Sequence, residues 1–176
     1  MAALPVLGVD IGGVLIQRAA DDDDTSFFGA RPMDTPAVAG AFEALAQLAA
    51  GPFAYRVHLI SKAGPSVTER TLAWLAHQEF SAVTGIAPAQ VHFVRHRADK
   101  APVCKKLGVT HFVDDRLSVL HHLTSVRCRY LFTGGLGSAP PRRPEDVPAG
   151  IVLVDTWPRL AGMLVGSCSE YRGKVS

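Results

Sequence analysis

Six short apolar runs, at 6–9, 55–60, 91–94, 111–113, 129–132 and 151–154, alternate with stretches at 37–49, 66–77, 101–107, 117–123 and 157–165 in which apolar residues recur every three or four positions. The short runs, several of them rich in β-branched or aromatic residues, suit strands buried on both faces, and the three-to-four spacing suits helices with one apolar face. Their alternation predicts a three-layer α/β/α sandwich, a Rossmann-like parallel sheet covered by helices on both sides. Two segments break the rhythm: 18–36, with Asp21 to Asp24 and two prolines, and 133–150, dense in Gly and Pro. Both are expected to be flexible loops. In an α/β domain such loops commonly lie over the carboxyl ends of the strands, where ligands bind, although a plain excursion of the chain serves equally well for the second.

Composition narrows the class without changing the fold. The 176 residues are enough for one domain spanning 1–176, and 48% hydrophobic against 19% charged residues excludes disorder as a global description. A formal charge of +2 gives no indication of nucleic acid or an anionic membrane as partner. Cys104, Cys128 and Cys168 are odd in number and lack CxxC spacing, so a reduced, cytoplasmic protein is expected, with neither a disulfide framework nor a zinc site. The N-terminal segment has no basic start, and Asp10 interrupts its apolar run, so no targeting or membrane segment is expected.

Four places carry candidate chemistry. Gly8-Val9-Asp10-Ile11-Gly12-Gly13-Val14-Leu15 is an apolar strand ending in a carboxylate and then turning on glycines. A carboxylate there can attack phosphorus or bind a metal, while glycines let backbone groups approach an ion; the plain alternative is a turn residue or helix cap. Leu59-Ile60-Ser61-Lys62 ends another apolar run in a hydroxyl and a cation, before Gly64-Pro65-Ser66 and a helix. Ser61 and nearby amides suit phosphoryl oxygens, or simply cap the helix. Lys100 stands at a helix start, where the helix dipole disfavours a cation unless an anion lies nearby; the alternative is a solvated, snorkelling lysine. His111-Phe112-Val113-Asp114-Asp115-Arg116 closes a strand in two consecutive acids, which repel one another unless a divalent cation neutralises them. The alternative has Asp115 capping the next helix and Asp114 in solvent.

In this order the four motifs resemble those of the haloacid dehalogenase superfamily of phosphohydrolases and phosphotransferases, over roughly residues 6 to 123. The resemblance implies that Asp10 is a nucleophile forming an aspartyl-phosphate, and that Ser61 and Lys100, with Lys62 beside them, hold the phosphoryl oxygens. It implies Mg²⁺ as cofactor, bound by Asp10, the backbone carbonyl of Gly12, and Asp114 or Asp115. Gly12 departs from the pattern, because the family's phosphatases usually carry an Asp there that protonates the leaving group and activates water. Losing general acid–base help typically costs about two to four orders of magnitude in rate. The resemblance therefore leaves two readings: a phosphatase favouring good leaving groups, or a weak or inactive module that binds phosphate and Mg²⁺. Asp34, in the flap, is a candidate to replace the missing acid, with no spacing argument that places it there.

The family's inserted cap domains have little room here, since 17–36 holds only a flap and 61–100 is largely used by a helix, a connection and a strand. A capless protein is expected, with a phosphorylated substrate that is macromolecular where it follows capless relatives, or with a second subunit as lid; an oligomer is compatible with the sequence. The remaining conspicuous residues have plain expectations. Asp21 to Asp24 lack the interleaved spacing of a cation loop and read as solvated acids, and Arg95-His96-Arg97 reads as a basic turn. His121 and His122 are adjacent on a helix and share no face, Cys104 reads as core, and Trp74 and Trp157 read as core anchors.

Overall fold

A computed structural model describes residues 4–18, 28, 31–135 and 143–173, with side chains as far as residue 169. Six strands, β1 (Leu7–Val9), β2 (Val57–Lys62), β3 (Val91–Val94), β4 (His111–Asp114), β5 (Cys128–Phe132) and β6 (Ile151–Val154), form one sheet in the order β3-β2-β1-β4-β5-β6. Every pairing is parallel. The helices are α1 (Ala41–Ala50), α2 (Pro65–His77), α3 (Phe80–Thr84), α4 (Lys100–Leu107), α5 (Leu117–His122) and α6 (Trp157–Gly173).

Period-two alternation along the strands divides the interior into two layers. Leu7, Val9, Val57, Leu59, Val113, Tyr130, Phe132 and Val154 point to the side covered by α1, α2, α3 and α6. Ile60, Phe112, Leu131 and Ile151 point to the side covered by α4 and α5. This is the expected three-layer arrangement. The chain leaves β3 on one edge and returns to β4 on the other side of β1, so the strand order reverses between β1 and β4. In open parallel sheets, ligands occupy the crevice at the carboxyl ends beside such a reversal.

The differences from the expected boundaries have local causes. Helix α1 starts at Ala41 and not at 37, because Gly40 takes a left-handed conformation (φ 75°) and Ala37 is bridged to Ile16. Strand β2 starts at Val57, after the left-handed Ala54 and Tyr55, and runs on through Lys62. The five-residue α3 was too short to show a helical period; it is bounded by left-handed Glu79 and Gly85, and its Phe80 meets Phe42 edge to face at 5.1 Å. Helix α6 continues to Gly173. Asp21 to Asp24, most of 18–36 and the stretch 136–142 lie outside the described residues; the described parts of the two loops include short 3₁₀ turns at Pro32–Asp34 and Pro144–Asp146.

Cys104, Cys128 and Cys168 form no disulfide with one another. Among the described residues no helix is long and apolar enough to cross a membrane. Both tryptophans are fully buried, as expected, and each also donates a hydrogen bond: Trp74 Nε1 to the Thr35 carbonyl at 2.8 Å, and Trp157 Nε1 to the Val14 carbonyl at 2.9 Å. The second bond ties the start of α6 to the turn that follows β1. Trp157→Phe, which keeps most of the ring packing but leaves the buried Val14 carbonyl without its donor, should lower unfolding stability by about 1–3 kcal/mol with an unchanged denaturant slope in urea.

Candidate active site

The ladder between β1 and β4 pairs Val9 with Val113, and the Asp10 N–H extends it by donating to the Val113 carbonyl at 2.9 Å. This register places Asp10 and Asp114 side by side where the two strands end, at the reversal point. The approach requires Gly8: a Cβ there would lie 2.4 Å from the Phe112 ring, which fills the space beneath the acids.

Lys100 enters from the same face. It is the first residue of α4, only 1% exposed, and its Nζ lies 2.9 Å from Asp10 Oδ1 and 2.8 Å from Asp114 Oδ2, with the Phe112 ring centroid at 5.6 Å. A buried ammonium at a helix N-terminus is doubly unfavourable in isolation. Burial acts to lower its pKa, but Asp10 and Asp114 outweigh burial and raise it, so the side chain is an ammonium clamped between two carboxylates. The solvated, snorkelling alternative is thereby excluded.

Asp114 and Asp115 are distinguished by their hydrogen bonds. Asp114 is completely buried; its Oδ2 accepts from Lys100, and its Oδ1 accepts the Arg116 N–H at 2.8 Å. Asp114, and not Asp115, therefore braces the entry to α5, and it is not solvated. Burial pushes its carboxyl up, Asp10 and Asp115 add to the rise, and Lys100 opposes it. Asp115 is 4% exposed and among the described residues neither of its oxygens accepts a hydrogen bond; Arg18 Nε lies 3.4 Å from Oδ2. Burial, reinforced by the Asp10 charge, pushes Asp115 up to about 6.

Past Asp10 the chain turns tightly. The amides of Val14, Leu15 and Ile16 converge on the Ile11 carbonyl, and the Gly13 N–H donates to Ile16 at 2.8 Å. Gly13 has φ 76°, and a Cβ on it would meet Asp115 Oδ2 at 2.5 Å, so two constraints demand glycine there. Gly135 packs just as closely on the Gly13 carbonyl, and its own carbonyl accepts the Arg18 N–H at 3.0 Å. The base of the loop after β5 thus holds both the turn and the arm that carries Arg18.

Of the residues expected at the site, Asp10, Lys100 and Asp114 are in direct contact, and Asp115 joins the two acids so that one oxygen from each lies within 4.8 Å of the others. Gly12 is buried in the turn two residues beyond Asp10. Ser61 is 2% exposed on the neighbouring β2, one step further along than Asp10 by register, and Lys62 ends that strand half-buried; both stand outside the contacts that join the acids to Lys100. Asp34 is not in the cluster: its side chain is largely exposed and paired with Arg31 at 3.0 Å. Arg95 and His96 are exposed, as expected of a basic turn. Cys104 is buried core, its thiol pushed up to about 12 by desolvation and so unsuited to act as a nucleophile. Arg18 was not foreseen, because a single cation eight residues past Asp10, at the edge of an irregular segment, carries no spacing signal.

Hard carboxylate oxygens suit Mg²⁺ or Mn²⁺, and Asp115 offers two buried oxygens with no hydrogen-bond donor. Three buried acids within 4.8 Å of one another also repel unless a divalent cation lies between them. The donor set therefore fits such an ion.

No family model matches the chain, and no curated protein matches it. Solved structures similar in fold include two proteins. One is the D,D-heptose 1,7-bisphosphate phosphatase of Burkholderia thailandensis, with TM-score 0.53 and 16% identity, covering 92% of this chain and 98% of that one. The other is a protein of Burkholderia xenovorans described as a haloacid dehalogenase-like hydrolase, with TM-score 0.52 and 19% identity, covering 74% of this chain and 61% of that one. The chain has the Rossmann-type α/β fold of haloacid dehalogenase-like proteins.

The raised Asp115 carboxyl has a thermodynamic consequence. A carboxyl whose folded pKa exceeds its unfolded value of 3.8 stabilises the fold fully below that value, and the contribution is lost as pH rises through about 6. Without divalent ions, Asp115→Asn should therefore be more stable than the wild type at pH 8, on the order of 1–3 kcal/mol, with the advantage shrinking toward pH 4. Thermal melts in EDTA across that range check it. Added Mg²⁺ should raise the wild-type Tm more than that of the variant.

Proposed function

We propose that the protein is a Mg²⁺-dependent phosphohydrolase that opens a phosphate monoester through an aspartyl-phosphate on Asp10. The observation that carries the reading is the buried Lys100 clamped between Asp10 and Asp114 at the reversal point of the sheet, with Asp115 beside them. Similarity in fold to a heptose bisphosphate phosphatase supports phosphate esters as the substrate class.

Each residue then has a role. Asp10 attacks phosphorus in line with the carboxylate oxygen that Lys100 does not hold, the bond from phosphorus to the leaving oxygen breaks, and water later cleaves the acyl-phosphate. Lys100 pairs with Asp10 Oδ1 and presents its ammonium to the phosphoryl oxygens. Ser61, with Lys62 at the end of the same strand, completes the phosphoryl cradle. Asp10, the Gly12 carbonyl, Asp115 and Asp114 would hold the Mg²⁺, with Asp115 the freer of the acid pair because both Asp114 oxygens are engaged. When bound, the ion neutralises phosphoryl charge.

Gly12 has no side chain with which to protonate a leaving oxygen or activate water, and Asp34 is not placed to do so. This favours leaving groups that depart without a proton. It also supports a second reading, a regulatory module that binds phosphate and Mg²⁺ with little turnover. Between β2 and β3 the chain is used by α2 and α3, which bury Trp74, Leu75 and Phe80 in the core, so no lid is inserted there. We infer an uncovered site and a large phosphorylated substrate, in the reduced, cytoplasmic setting that free thiols suit.

Hydrolysis of p-nitrophenyl phosphate with Mg²⁺, with EDTA and by Asp10→Asn tests the reading, because this leaving group scarcely needs the missing acid. Turnover lost in EDTA and in the variant is expected; wild-type activity in Asp10→Asn sinks the nucleophile assignment, and a folded, Mg²⁺-binding protein without turnover favours the module. Gly12→Asp should speed hydrolysis of an alkyl phosphate by about ten- to a hundredfold more than that of p-nitrophenyl phosphate, read as the ratio of the two kcat/KM values.

A further inference from the structure

Arg18 is a charged contact of the acid cluster that the proposed chemistry leaves unused. It stands at the end of the segment that follows the β1 turn, its backbone fixed by the Gly135 carbonyl at 3.0 Å, and its guanidinium reaches back so that Nε lies 3.4 Å from Asp115 Oδ2. The side chain of Asp115 is 1% exposed and that of Arg18 25%, so the arm spans from the rim to the cluster.

The contact has the properties of a placeholder. Among the described residues Arg18 Nε is buried without a hydrogen-bond acceptor and both Asp115 oxygens are buried without a donor, although the two groups are close enough to form an ion pair. An arginine chosen to lock a carboxylate normally does so with aligned, often bidentate N–H groups at 2.7–2.9 Å. Lys100 differs in both respects: it is 1% exposed and donates a hydrogen bond to Asp114 at 2.8 Å. Lys100 is thus built into the cluster, whereas Arg18 rests against the acid whose oxygens accept no hydrogen bond among the described residues.

Those oxygens are also the unengaged ones of the acid pair, so a divalent ion and the guanidinium compete for the same carboxylate. We propose that Arg18 is a tethered cation that occupies the Asp115 side of the cluster in the metal-free protein and leaves it when a divalent ion binds. This rests on the metal part of the proposed function and not on turnover. Because the ion must displace the guanidinium, Arg18 sets the metal concentration at which the site fills: removing the competitor tightens ion binding, and by linkage the bound ion frees the arm.

Two readouts that need no substrate test it. Mn²⁺ binding by electron paramagnetic resonance should be about threefold or more tighter in Arg18→Gln than in the wild type, as expected when an ion pair that competes for the ligand is removed. Charge repulsion alone would also tighten binding, so the second readout follows the arm itself. In ¹⁵N spectra of the wild type, the Arg18 Nε–H signal, identified by its absence in Arg18→Gln, should be distinct and slowly exchanging in EDTA. It should move to the position of a solvated arginine on saturation with Mg²⁺, and should already be there in metal-free Asp115→Asn. An Arg18 signal unmoved by saturating Mg²⁺, or equal Mn²⁺ affinity in wild type and Arg18→Gln, overturns the proposal. Absence of Mn²⁺ binding in both proteins overturns it together with the metal assignment, whereas metal-linked release of the arm in a protein that hydrolyses nothing upholds it and removes only the phosphohydrolase reading.

Discussion

The ammonium of Lys100 lies 2.9 Å from Asp10 and 2.8 Å from Asp114, in a position that is 1% exposed, and the arrangement of the site depends on that three-body contact. None of the three charges is tolerable there alone, since an unpaired buried charge costs several kcal/mol and shifts its ionisation instead. Each is made acceptable by the other two. The contact also joins three separate elements, because Asp10 follows β1, Asp114 ends β4 and Lys100 begins α4. Parallel order supplies the rest: β1 and β4 are neighbours in register, so their ends deliver two carboxylates to one place, and the helix preceding β4 delivers the cation.

Around this clamp the packing is close enough that small residues are obligatory. Gly8 admits the Phe112 ring below the lysine, and Gly13 admits Asp115 against the turn. The turn is held from outside by Trp157 on the Val14 carbonyl and by Gly135 on Gly13. Two elements remote in sequence, the start of α6 and the end of the β5 segment, therefore fix a turn near the N-terminus. A change at Trp157 is a change to the support of the site as well as to the core.

Much of this was legible in the sequence, for identifiable reasons. The six strands are short, apolar and separated by helical periods, so their positions emerged to within a few residues; Val91–Val94 and Ile151–Val154 coincide with the expected runs. The acids and Lys100 were visible because each violates a local rule: paired carboxylates at a strand end, and a cation at a helix start. What stayed hidden depended on contacts across the chain. That Asp114 braces α5 while Asp115 stays free is decided by the Arg116 amide and the Gly13 turn, and no spacing encodes it. Arg18 breaks no local rule, and its meaning arises only from Gly135, more than a hundred residues away in the chain, holding its backbone. Helix α3 was invisible because five residues cannot display a period.

The division of labour between the two acids separates metal binding from the consequences of Gly12. Asp114 is committed to Lys100 and to the Arg116 amide, and losing either bond would leave a buried charge unmatched. Asp115 has no such commitment, so it can exchange partners at little structural cost, and the cation facing it is on a partly exposed arm and not in the core. Neither acid relies on position 12 for its placement; a glycine there removes a proton carrier and leaves a backbone carbonyl where the chain turns. On the proposed function, ion binding and phosphoryl transfer would therefore rest on different residues: the frame of Lys100, Asp10 and Asp114 stands whatever the rate of hydrolysis, and the rate of the chemical step would depend on how much proton transfer the substrate needs at position 12.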